Sequence, residues 1–462
     1  MSILTREPAA ASVPPAFPAA VRRLRHALDA SAPAIGTSVL VAASLWFSLA
    51  PSLLPRTSVT QGVVCGLAIT LALAGRAVVR RLRAARRAPA SGEAEVRCLA
   101  AAVAAASVLV AGTGAHRWQS ALRETMGQPP IGLRYWLEVC ATATVVAASA
   151  ILACRATRVL VRRRTVRRVT AMAGTGLLAA WFGFGSAVFL PPAGSANATA
   201  SSSLPSAPGL AGSEASLVGW DTLGREGRRF VSLAEPDSAV RTYIGLASAP
   251  DVPSRAALAV RELERAGGFD RAHVVLAVPT GSGWVDAQAV EGFEAQWGDD
   301  VAIVAQQYSD APSWMTFLTD RDAASDSARA LTSAVRAHID TLPASQRPEL
   351  HLYGQSLGAS GAAAALPDTE QGPCAGFLAG PPAGIDIPGG TVLANTSDPV
   401  VWWEPALLWS PPDLSHARAD APVPAWLPVV TFAHTTVDLL TSLDAAPGHG
   451  HRYGRDQADC AA

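Results

Sequence analysis

One serine of the sequence lies in a pattern that is typical of a catalytic nucleophile. Ser356 is the centre of a Gly-x-Ser-x-Gly pentapeptide, residues 354–358. A run of β-forming residues, 349–353, precedes the pentapeptide, and a stretch rich in Ala and Gly, 359–366, follows it. The pentapeptide alone is a weak signal, but a strand, a sharp turn and a helix are what a nucleophile elbow requires. We therefore expect Ser356 to attack carbonyl carbon atoms; the alternative is a glycine-rich turn without chemistry.

A serine nucleophile needs a histidine that takes its proton and an acid that orients the histidine. In strand–turn–helix elbows the order along the chain is serine, acid, histidine. Asp398 directly follows an apolar strand, 391–395, so its carboxyl group is expected at the carboxyl end of the sheet, where ligands bind in open α/β sheets. We predict that Asp398 is the acid, with the loop residues Asp386 and Asp413 as alternatives.

The base must come from four histidines that follow Ser356 in the chain, His416, His434, His449 and His451. We predict that His449 is the base, because glycines on both sides let its loop pass close to the sheet. His451 lies on the same loop and is the main competitor, although its bulkier neighbours favour a packing role. His434 lies beside an apolar run, which is more typical of a structural histidine.

The negative charge of an acyl-transfer intermediate is held by two backbone N–H groups. The first is expected from Leu357, the residue after the nucleophile. The second is expected from the loop 280–283, because this loop follows the strand 273–279, which is two strands before the elbow strand in the predicted order. We predict that Thr280 supplies the second donor, with Gly281 as the alternative. This chemistry requires neither a metal ion nor an organic cofactor.

The elements that must position these residues alternate between short apolar strands and amphipathic helices. Strands are predicted at 242–247, 273–279, 301–306, 349–353, 377–379 and 391–395, and helices at 254–266, 286–297 and 322–342. Such an alternation indicates a doubly wound, mostly parallel sheet covered by helices on both faces. Between acid and base, Trp402, Trp403, Trp409 and Trp426 indicate a lid, an acyl-chain groove, ordinary core packing or a membrane-facing surface.

The N-terminal half has a different character, although the chain as a whole has a formal net charge of zero. Residues 1–195 hold 22 Arg and 6 acidic residues, whereas residues 196–462 hold 15 Arg and 31 acidic residues. The arginines of the first half lie between five apolar runs, 30–55, 57–75, 98–115, 135–154 and 169–190. Runs of this length predict about five membrane spans. The basic half therefore indicates a membrane and not a nucleic acid.

The arginines also predict an orientation. Eighteen of them lie in the N-terminal tail and in the second and fourth loops, and four lie in the first and third loops. The positive-inside rule then places the N-terminus in the cytoplasm and the catalytic region outside the cell membrane. In an oxidising compartment Cys374 and Cys460 could form a disulfide, with two free thiols as the alternative.

These features divide the sequence into four parts. We predict a cytoplasmic tail at 1–30, a transmembrane domain at 31–190, a flexible linker at 191–216 and a catalytic domain at 217–462. The linker prediction depends on composition, because nearly all of its residues are Ala, Gly, Ser, Pro or Thr. Nothing in the sequence indicates an oligomeric state.

Several further motifs resemble those of one family. They are residues 51–56 (Pro-Ser-Leu-Leu-Pro-Arg), 224–231, 281–286, 353–358, 380–382, 397–399 with Trp402-Trp403, and 448–453. In these motifs the chain resembles bacterial integral-membrane α/β-hydrolases, in which a multi-span N-terminal domain precedes an α/β-hydrolase domain. The resemblance implies a serine-hydrolase fold with Ser356, Asp398 and a histidine of the last motif as the triad.

The sequence as a whole therefore predicts a membrane-anchored serine hydrolase, an esterase or lipase, outside the cytoplasmic membrane. Its expected substrates are acyl esters of membrane lipids or cell-envelope components. One alternative is an acyltransferase, because an alcohol can resolve the same acyl-enzyme in place of water. Another is a membrane protein that keeps the hydrolase fold as a scaffold without catalysis, which the presence of all three triad residue types disfavours.

Overall fold

The computed structural model describes residues 33–83, 94–162, 204–232, 240–320, 322–366, 372–385, 387 and 389–460. The chain divides into two compact units. The first unit comprises Met1–Ala50, Thr57–Arg117 and Gly132–Val166, and the second comprises Pro51–Arg56, Trp118–Ile131 and Arg167–Ala462. The second unit therefore takes in two short segments from the N-terminal half, which the linear domain boundaries predicted above do not anticipate.

The N-terminal helices are α1 (Ile35–Ser48), α2 (Ser58–Arg83), α3 (Ala94–Thr125) and α4 (Leu133–Arg162). Three stretches, Ser58–Arg80, Glu95–Thr125 and Leu133–Ala156, are long and apolar enough to cross a membrane. The predicted first span is shorter than expected, because α1 has 14 residues and ends before Pro51. The predicted fifth span, 169–190, lies outside the described residues.

Within the first unit, two glycines one turn apart set the packing of α2 against α4. A Cβ atom on Gly62 would lie 2.6 Å from the Cβ of Thr142, and one on Gly66 would lie 2.7 Å from the Cβ of Val146. Small residues spaced in this way let two helix backbones approach closely, which is a common packing mode in membrane proteins. Larger side chains at either position would push the two helices apart.

The second unit alternates helices and strands from residue 224 onward. The elements are α5 (Gly224–Ser232), β1 (Val240–Ile244), α6 (Val252–Arg265), β2 (His273–Val278), α7 (Ala287–Trp297), β3 (Val301–Gln306), α8 (Ser313–Thr319), α9 (Ala323–Ile339), β4 (Glu349–Gln355), α10 (Leu357–Ala365), β5 (Gly376–Ala379), β6 (Thr391–Asn395), α11 (Pro399–Trp402), β7 (Ala417–Arg418) and α12 (Val430–Leu439). The predicted strands and helices are present with boundaries shifted by up to three residues.

The seven strands form one parallel sheet in the order β1-β3-β2-β4-β5-β6-β7. Helix α9 packs against both α6 and α10 along the sheet. The aromatic side chains of α7 pack on the strand residues His351, Tyr353 and Phe377. Strands β2 and β3 are almost fully buried, as expected for a sheet covered on both faces. The predicted fold class, apolar N-terminal helices followed by a doubly wound parallel sheet, is confirmed.

The last part of the predicted linker packs on the sheet. Leu210 forms a parallel bridge with Arg241 in β1, and the N–H of Ala211 donates to the Arg241 carbonyl oxygen at 2.9 Å. Both Leu210 and Ala211 are buried. Composition alone predicts a flexible tether here, but these two apolar residues pack along the edge of β1.

A buried ion pair fixes the segment Pro51–Arg56 within the second unit. The Nη2 and Nε atoms of Arg56 donate to Asp438 Oδ1 in α12 at 2.8 and 3.0 Å, and the backbone N–H of Leu53 donates to Oδ2 at 2.8 Å. The two charged side chains are 1% and 0% exposed. Because two desolvated charges are costly without each other, this pair holds the segment in one position.

Residues of the stretch Trp118–Ile131 form further hydrogen bonds with the segment Pro51–Arg56. Gln119 accepts a hydrogen bond from the N–H of Arg56 and donates to Ser52 Oγ, both at 2.9 Å. Arg123 Nη2 donates to the Arg56 carbonyl oxygen at 2.8 Å, and Trp118 Nε1 donates to the Ser52 carbonyl oxygen at 2.9 Å. These bonds satisfy the buried polar groups that accompany Arg56.

We expect Asp438→Asn to destabilise the second unit by about 3–5 kcal/mol, because it leaves the Arg56 guanidinium buried without a counter-charge. For a unit of this size the loss corresponds to a melting temperature lower by roughly 6–20 °C. Thermal denaturation of the full chain in detergent, followed by near-ultraviolet circular dichroism, measures the change.

Two variants serve as controls for this prediction. Arg56→Met combined with Asp438→Leu removes both charges and is expected to recover most of the loss. Arg455→Gln breaks an exposed pair with Glu291 and is expected to cost less than about 1 kcal/mol. If Asp438→Asn were no more destabilising than Arg455→Gln, the buried pair would not be fixing the segment.

Candidate active site

The turn between β4 and α10 has the backbone of a nucleophile elbow. Ser356 has φ 57° and ψ −126°, and it is one of two non-glycine residues with positive φ in the described part of the chain. A Cβ atom on Gly354 would overlap the carbonyl of Gly358, and one on Gly358 would overlap the carbonyl oxygen of Val278 in β2. The flanking glycines are therefore required by the close approach of β2, β4 and α10.

The same turn places Ser356 at the carboxyl edge of the sheet. Its N–H donates to the carbonyl oxygen of Ala379, the last residue of β5, at 3.0 Å. The side chain is half-buried, and α10 begins at the next residue, Leu357. The hydroxyl thus lies at a helix N-terminus, where the first N–H groups lack intrahelical partners and favour negative charge.

Asp398 is a fully buried carboxylate with three hydrogen-bond donors. It follows β6, and its exposed fraction is 0%. Oδ1 accepts from the N–H of Val400 at 2.8 Å, and Oδ2 accepts from the Tyr453 hydroxyl at 2.6 Å and from His451 Nδ1 at 2.7 Å. A carboxylate accepts only, so the proton of this last bond lies on Nδ1. The Nε2 atom of the neutral imidazole then has a free lone pair.

The structure differs here from the predicted choice of histidine. His451, and not His449, is hydrogen-bonded to Asp398. The Nδ1 atom of His449 lies 3.0 Å from Oδ2 of a different carboxylate, Asp420. The glycines around His449 do bring the loop close to the sheet, but the tight turn at Gly450 directs the next imidazole, that of His451, towards Asp398.

Asp420 forms a second polar network beside the first. Its carboxylate accepts from the N–H and hydroxyl of Ser397, from the hydroxyl of Thr396 at 3.1 Å, and from His449. The Ser397 hydroxyl in turn accepts from the N–H of Gly450 at 2.7 Å. This network ties the residue before Asp398 to the loop that carries both histidines. No sequence motif singled out Asp420.

Three further side chains position the histidine loop. The Nε2 atom of Gln355 donates to the His451 carbonyl oxygen at 3.0 Å, and Nδ2 of Asn395 donates to the Gly450 carbonyl oxygen at 2.9 Å. Burial and the neighbouring Asp398 carboxylate raise the pKa of Tyr453, so its hydroxyl keeps the proton that it donates to Asp398. In the sequence, Gln355 and Tyr453 lie within the motifs 353–358 and 448–453, and Asn395 ends the strand before Asp398, but nothing there indicates these hydrogen bonds.

Gly380 brings the serine and the Asp398–His451 pair together. It follows Ala379, the acceptor of the Ser356 N–H, and has φ +50°. A Cβ atom on Gly380 would lie 2.7 Å from Asp398 Oδ2 and 2.8 Å from His451 Cε1. No Ser356–His451 hydrogen bond is present among the described residues, and such bonds often form only when substrate is bound.

The predicted oxyanion donors differ in their present hydrogen bonds. Leu357 is the first residue of α10, so its N–H has no acceptor within the helix. The N–H of Thr280 donates to the Trp284 carbonyl oxygen at 2.8 Å, a backbone bond that closes the turn and occupies this donor. The N–H of Gly281 donates to the Ser313 hydroxyl at 3.1 Å, an acceptor that a substrate oxygen can displace. This geometry favours Gly281 over Thr280.

The alternative acids and histidines have other surroundings. Asp386 lies outside the described residues, and the exposed Asp413 accepts from the N–H of Ser415 at 2.9 Å. His434 is buried, with Nδ1 3.0 Å from Arg56 Nη1. His416 is exposed. None of the described alternatives is hydrogen-bonded to the Asp398–His451 pair.

The four tryptophans of residues 400–428 divide between core and surface. Trp402 is 1% exposed and donates to the Thr396 carbonyl oxygen, whereas Trp409 is 67% exposed. Trp403 is half-buried between the rings of Phe317 and Phe432, with ring centroids 6.3 and 5.7 Å away. Core packing thus accounts for Trp402, and Trp403 belongs to an aromatic cluster beside the Asp398 turn.

The sequence matches two profiles of one known protein family. The profile described as Alpha/beta-hydrolase family matches residues 240–387 and 388–462, and the profile described as Alpha/beta-hydrolase family N-terminus matches residues 49–234. The chain therefore belongs to this alpha/beta-hydrolase family, as the resemblance predicted. No curated protein and no solved structure matches the chain.

The elbow geometry predicts an unusual response to mutation. A non-glycine residue in the Ser356 conformation stores about 1–3 kcal/mol of strain, which glycine would not carry. Glycine also raises the entropy of the unfolded chain, which offsets about 0.4–1 kcal/mol of that gain. We therefore expect Ser356→Gly to be more stable than Ser356→Ala by about 1 kcal/mol, or 2–4 °C in melting temperature. An equal or lower melting temperature for Ser356→Gly would mean that the turn is unstrained.

Proposed function

We propose that the protein is a membrane-anchored serine hydrolase that cleaves acyl esters of lipid or cell-envelope components. In this proposal Ser356 is the nucleophile, His451 the base and Asp398 the acid that orients it. The observation that carries the proposal is the 2.7 Å bond between His451 Nδ1 and the fully buried Asp398, next to a strained serine at a helix N-terminus. A scaffold without catalysis would not need to retain that strain.

The first step uses the tautomer that Asp398 imposes. With its proton on Nδ1, His451 takes the hydroxyl proton of Ser356 on Nε2 while Oγ attacks the acyl carbonyl carbon. Asp398 stabilises the resulting imidazolium and keeps it oriented. Tyr453 and the N–H of Val400 hold the carboxylate in place, and Gln355 holds the His451 backbone.

The tetrahedral intermediate carries its negative charge on the former carbonyl oxygen. We assign the N–H groups of Leu357 and Gly281 to this oxygen, the latter after it exchanges the Ser313 hydroxyl for substrate. The intermediate collapses when His451 returns its proton to the leaving alcohol, which yields an acyl-enzyme. Water, deprotonated by His451, then attacks the acyl carbon and releases the acid and Ser356.

The surroundings of the site support an apolar acyl group. Helix α8 lies over the Gly281 turn, where a Cβ on Gly281 would be 2.7 Å from Ser313 Cα. Phe317 of this helix contacts Trp403, which follows the Asp398 turn. The aromatic cluster therefore lies between the loop 280–283, which carries the proposed donor Gly281, and Asp398. Apolar walls at this place suit an acyl chain.

A disulfide supports a location outside the cytoplasm. Cys374 and Cys460 are bonded, with 5.2 Å between their Cα atoms. Disulfides of this kind persist in oxidising compartments and are rare in the cytosol. The three apolar helices that could cross a membrane, together with the distribution of arginines, agree with a catalytic unit on the outer side.

We expect a fluorophosphonate probe added to intact cells to label the protein, because an activated serine attacks the phosphorus as it would an acyl carbon. Ser356→Ala is expected to abolish labelling, measured by in-gel fluorescence. Labelling that survives Ser356→Ala would exclude Ser356 as the nucleophile, and no labelling of the unaltered protein would favour a scaffold without catalysis.

The two histidines are distinguished by the same assay. We expect His451→Ala to slow labelling and ester hydrolysis by about 10³–10⁴-fold, because it removes the base. We expect His449→Ala to cost about ten-fold or less, because His449 acts on the loop through Asp420 and not on substrate. His416→Ala serves as the exposed control. A larger loss for His449→Ala than for His451→Ala would reverse the assignment.

The proposed location predicts a pattern of thiol reactivity. In cells quenched with acid and denatured, four of the six cysteines are expected to react with a maleimide before reduction, Cys65, Cys98, Cys140 and Cys154. All six are expected to react after reduction, and Cys374→Ser with Cys460→Ser should remove the difference. Gel shifts with a polymer-linked maleimide count the thiols. Six reactive thiols before reduction would place the catalytic unit in a reducing compartment.

A further inference from the structure

The amino end of the sheet carries a group of polar side chains that the active site does not use. His273 and Glu349 are the first residues of β2 and β4 and lie opposite each other in the register. His351 lies two residues further along β4, so it shares a face with Glu349. Ser356 lies seven positions after Glu349 along β4, or about 23 Å. This group is therefore distinct from the catalytic centre.

Three atoms of this group converge on one point. His273 Nδ1 lies 3.0 Å from His351 Nε2 and 3.7 Å from Glu349 Oε2, and the last two atoms lie 3.9 Å apart. A circle through the corners of this triangle has a radius of about 2.1 Å, which equals the Zn–N and Zn–O bond lengths of protein zinc sites. No other group of three His, Cys, Asp or Glu in the described part of the chain converges in this way.

The hydrogen bonding of His351 leaves one of its ring nitrogens available to bind a metal ion. His351 is 1% exposed, and its Nδ1 donates to the carbonyl oxygen of Cys374 at 2.7 Å. This bond places the only proton of the neutral ring on Nδ1 and leaves the Nε2 lone pair directed at His273 and Glu349. Metal-binding histidines in proteins have this same arrangement, in which the second nitrogen donates to a carbonyl or carboxylate.

Aromatic stacking fixes the orientation of both rings. Trp297 stacks on His273 with centroids 4.3 Å apart and on His351 with centroids 4.6 Å apart. The Cys374–Cys460 disulfide fixes the residue whose carbonyl holds His351. Two ligand rings are thus held in position before any ion binds, which reduces the entropy cost of binding.

We propose that His273, His351 and Glu349 form a Zn²⁺ site that joins β2 to β4 at the amino end of the sheet. Three protein ligands leave a coordination position for water, and the exposed Glu349, 63% accessible, gives the ion a path from solvent. Without the ion, the His273 Nδ1–H group donates to His351 Nε2. Binding replaces that hydrogen bond and requires the proton of His273 on Nε2.

The test uses the full chain, purified in detergent without a histidine tag, with its free thiols alkylated and its metals removed by a chelator. Zn²⁺ is titrated in competition with a chromophoric chelator, and Co²⁺ is used to record visible d–d bands that report the coordination geometry. We expect one high-affinity Zn²⁺ per chain, Co²⁺ bands of a four- or five-coordinate site, and a melting temperature that rises with free Zn²⁺.

The variants avoid the buried ligand, because His351→Gln would also break its bond to Cys374. We expect His273→Gln and Glu349→Gln to weaken Zn²⁺ binding by about 100-fold and at least 10-fold, and to abolish the Co²⁺ bands. His416→Gln, at an exposed histidine outside the group, is expected to bind as the unaltered chain does. Each variant is accepted only if its disulfide and its zinc-free melting temperature are unchanged.

The proposal would be overturned if the unaltered chain bound Zn²⁺ no more tightly than His273→Gln. Equal affinity of Glu349→Gln would overturn the three-ligand assignment in the same way. Neither result depends on the catalytic proposal, since Zn²⁺ affinity and Co²⁺ spectra are measured without substrate.

Discussion

The second unit is arranged around one desolvated carboxylate, that of Asp398. Burying a carboxylate costs several kcal/mol unless hydrogen-bond donors replace the lost water. Here the donors come from the turn after β6 and from the C-terminal loop, as Val400, His451 and Tyr453. Because Gly380 leaves no room for a side chain beside them, β5, β6 and the loop must fit together closely. The geometry of the candidate site thus follows from the donors that this buried charge requires.

The sequence predicted the parts of the site that depend on local rules. Ser356 and the strand, turn and helix around it follow from glycine sterics and short-range periodicity, and Asp398 follows from its position after an apolar strand. Which histidine pairs with Asp398 could not be predicted in this way, because His449 and His451 share one short loop. His449 pairs with Asp420, a residue that lies 29 positions from it and belongs to no motif, and His451 pairs with Asp398.

The same distinction applies to the fold. The parallel sheet was predictable because buried strands are nearly continuous apolar runs, and the described strands lie close to the predicted ones. The role of Pro51–Arg56 was not predictable from hydropathy, because its apolar residues merely extend the preceding run. Its place in the second unit depends on Arg56 meeting Asp438, 382 residues further along the chain. A buried ion pair between distant residues has no periodic signature.

The two ends of β4 have opposite energetic roles. At its carboxyl end, the backbone strain at Ser356 destabilises the folded state by about 1–3 kcal/mol. At its amino end, His351 is hydrogen-bonded to the carbonyl oxygen of Cys374. The disulfide between Cys374 and Cys460 closes a loop with a sequence separation of 86. A loop of that length stabilises the folded state by about 4.6 kcal/mol by restricting the unfolded chain. Asp398, Asp420 and both histidines lie inside this loop, and Ser356 lies outside it. Because the cross-link acts on the unfolded chain, it stabilises the whole unit and offsets the strain at Ser356.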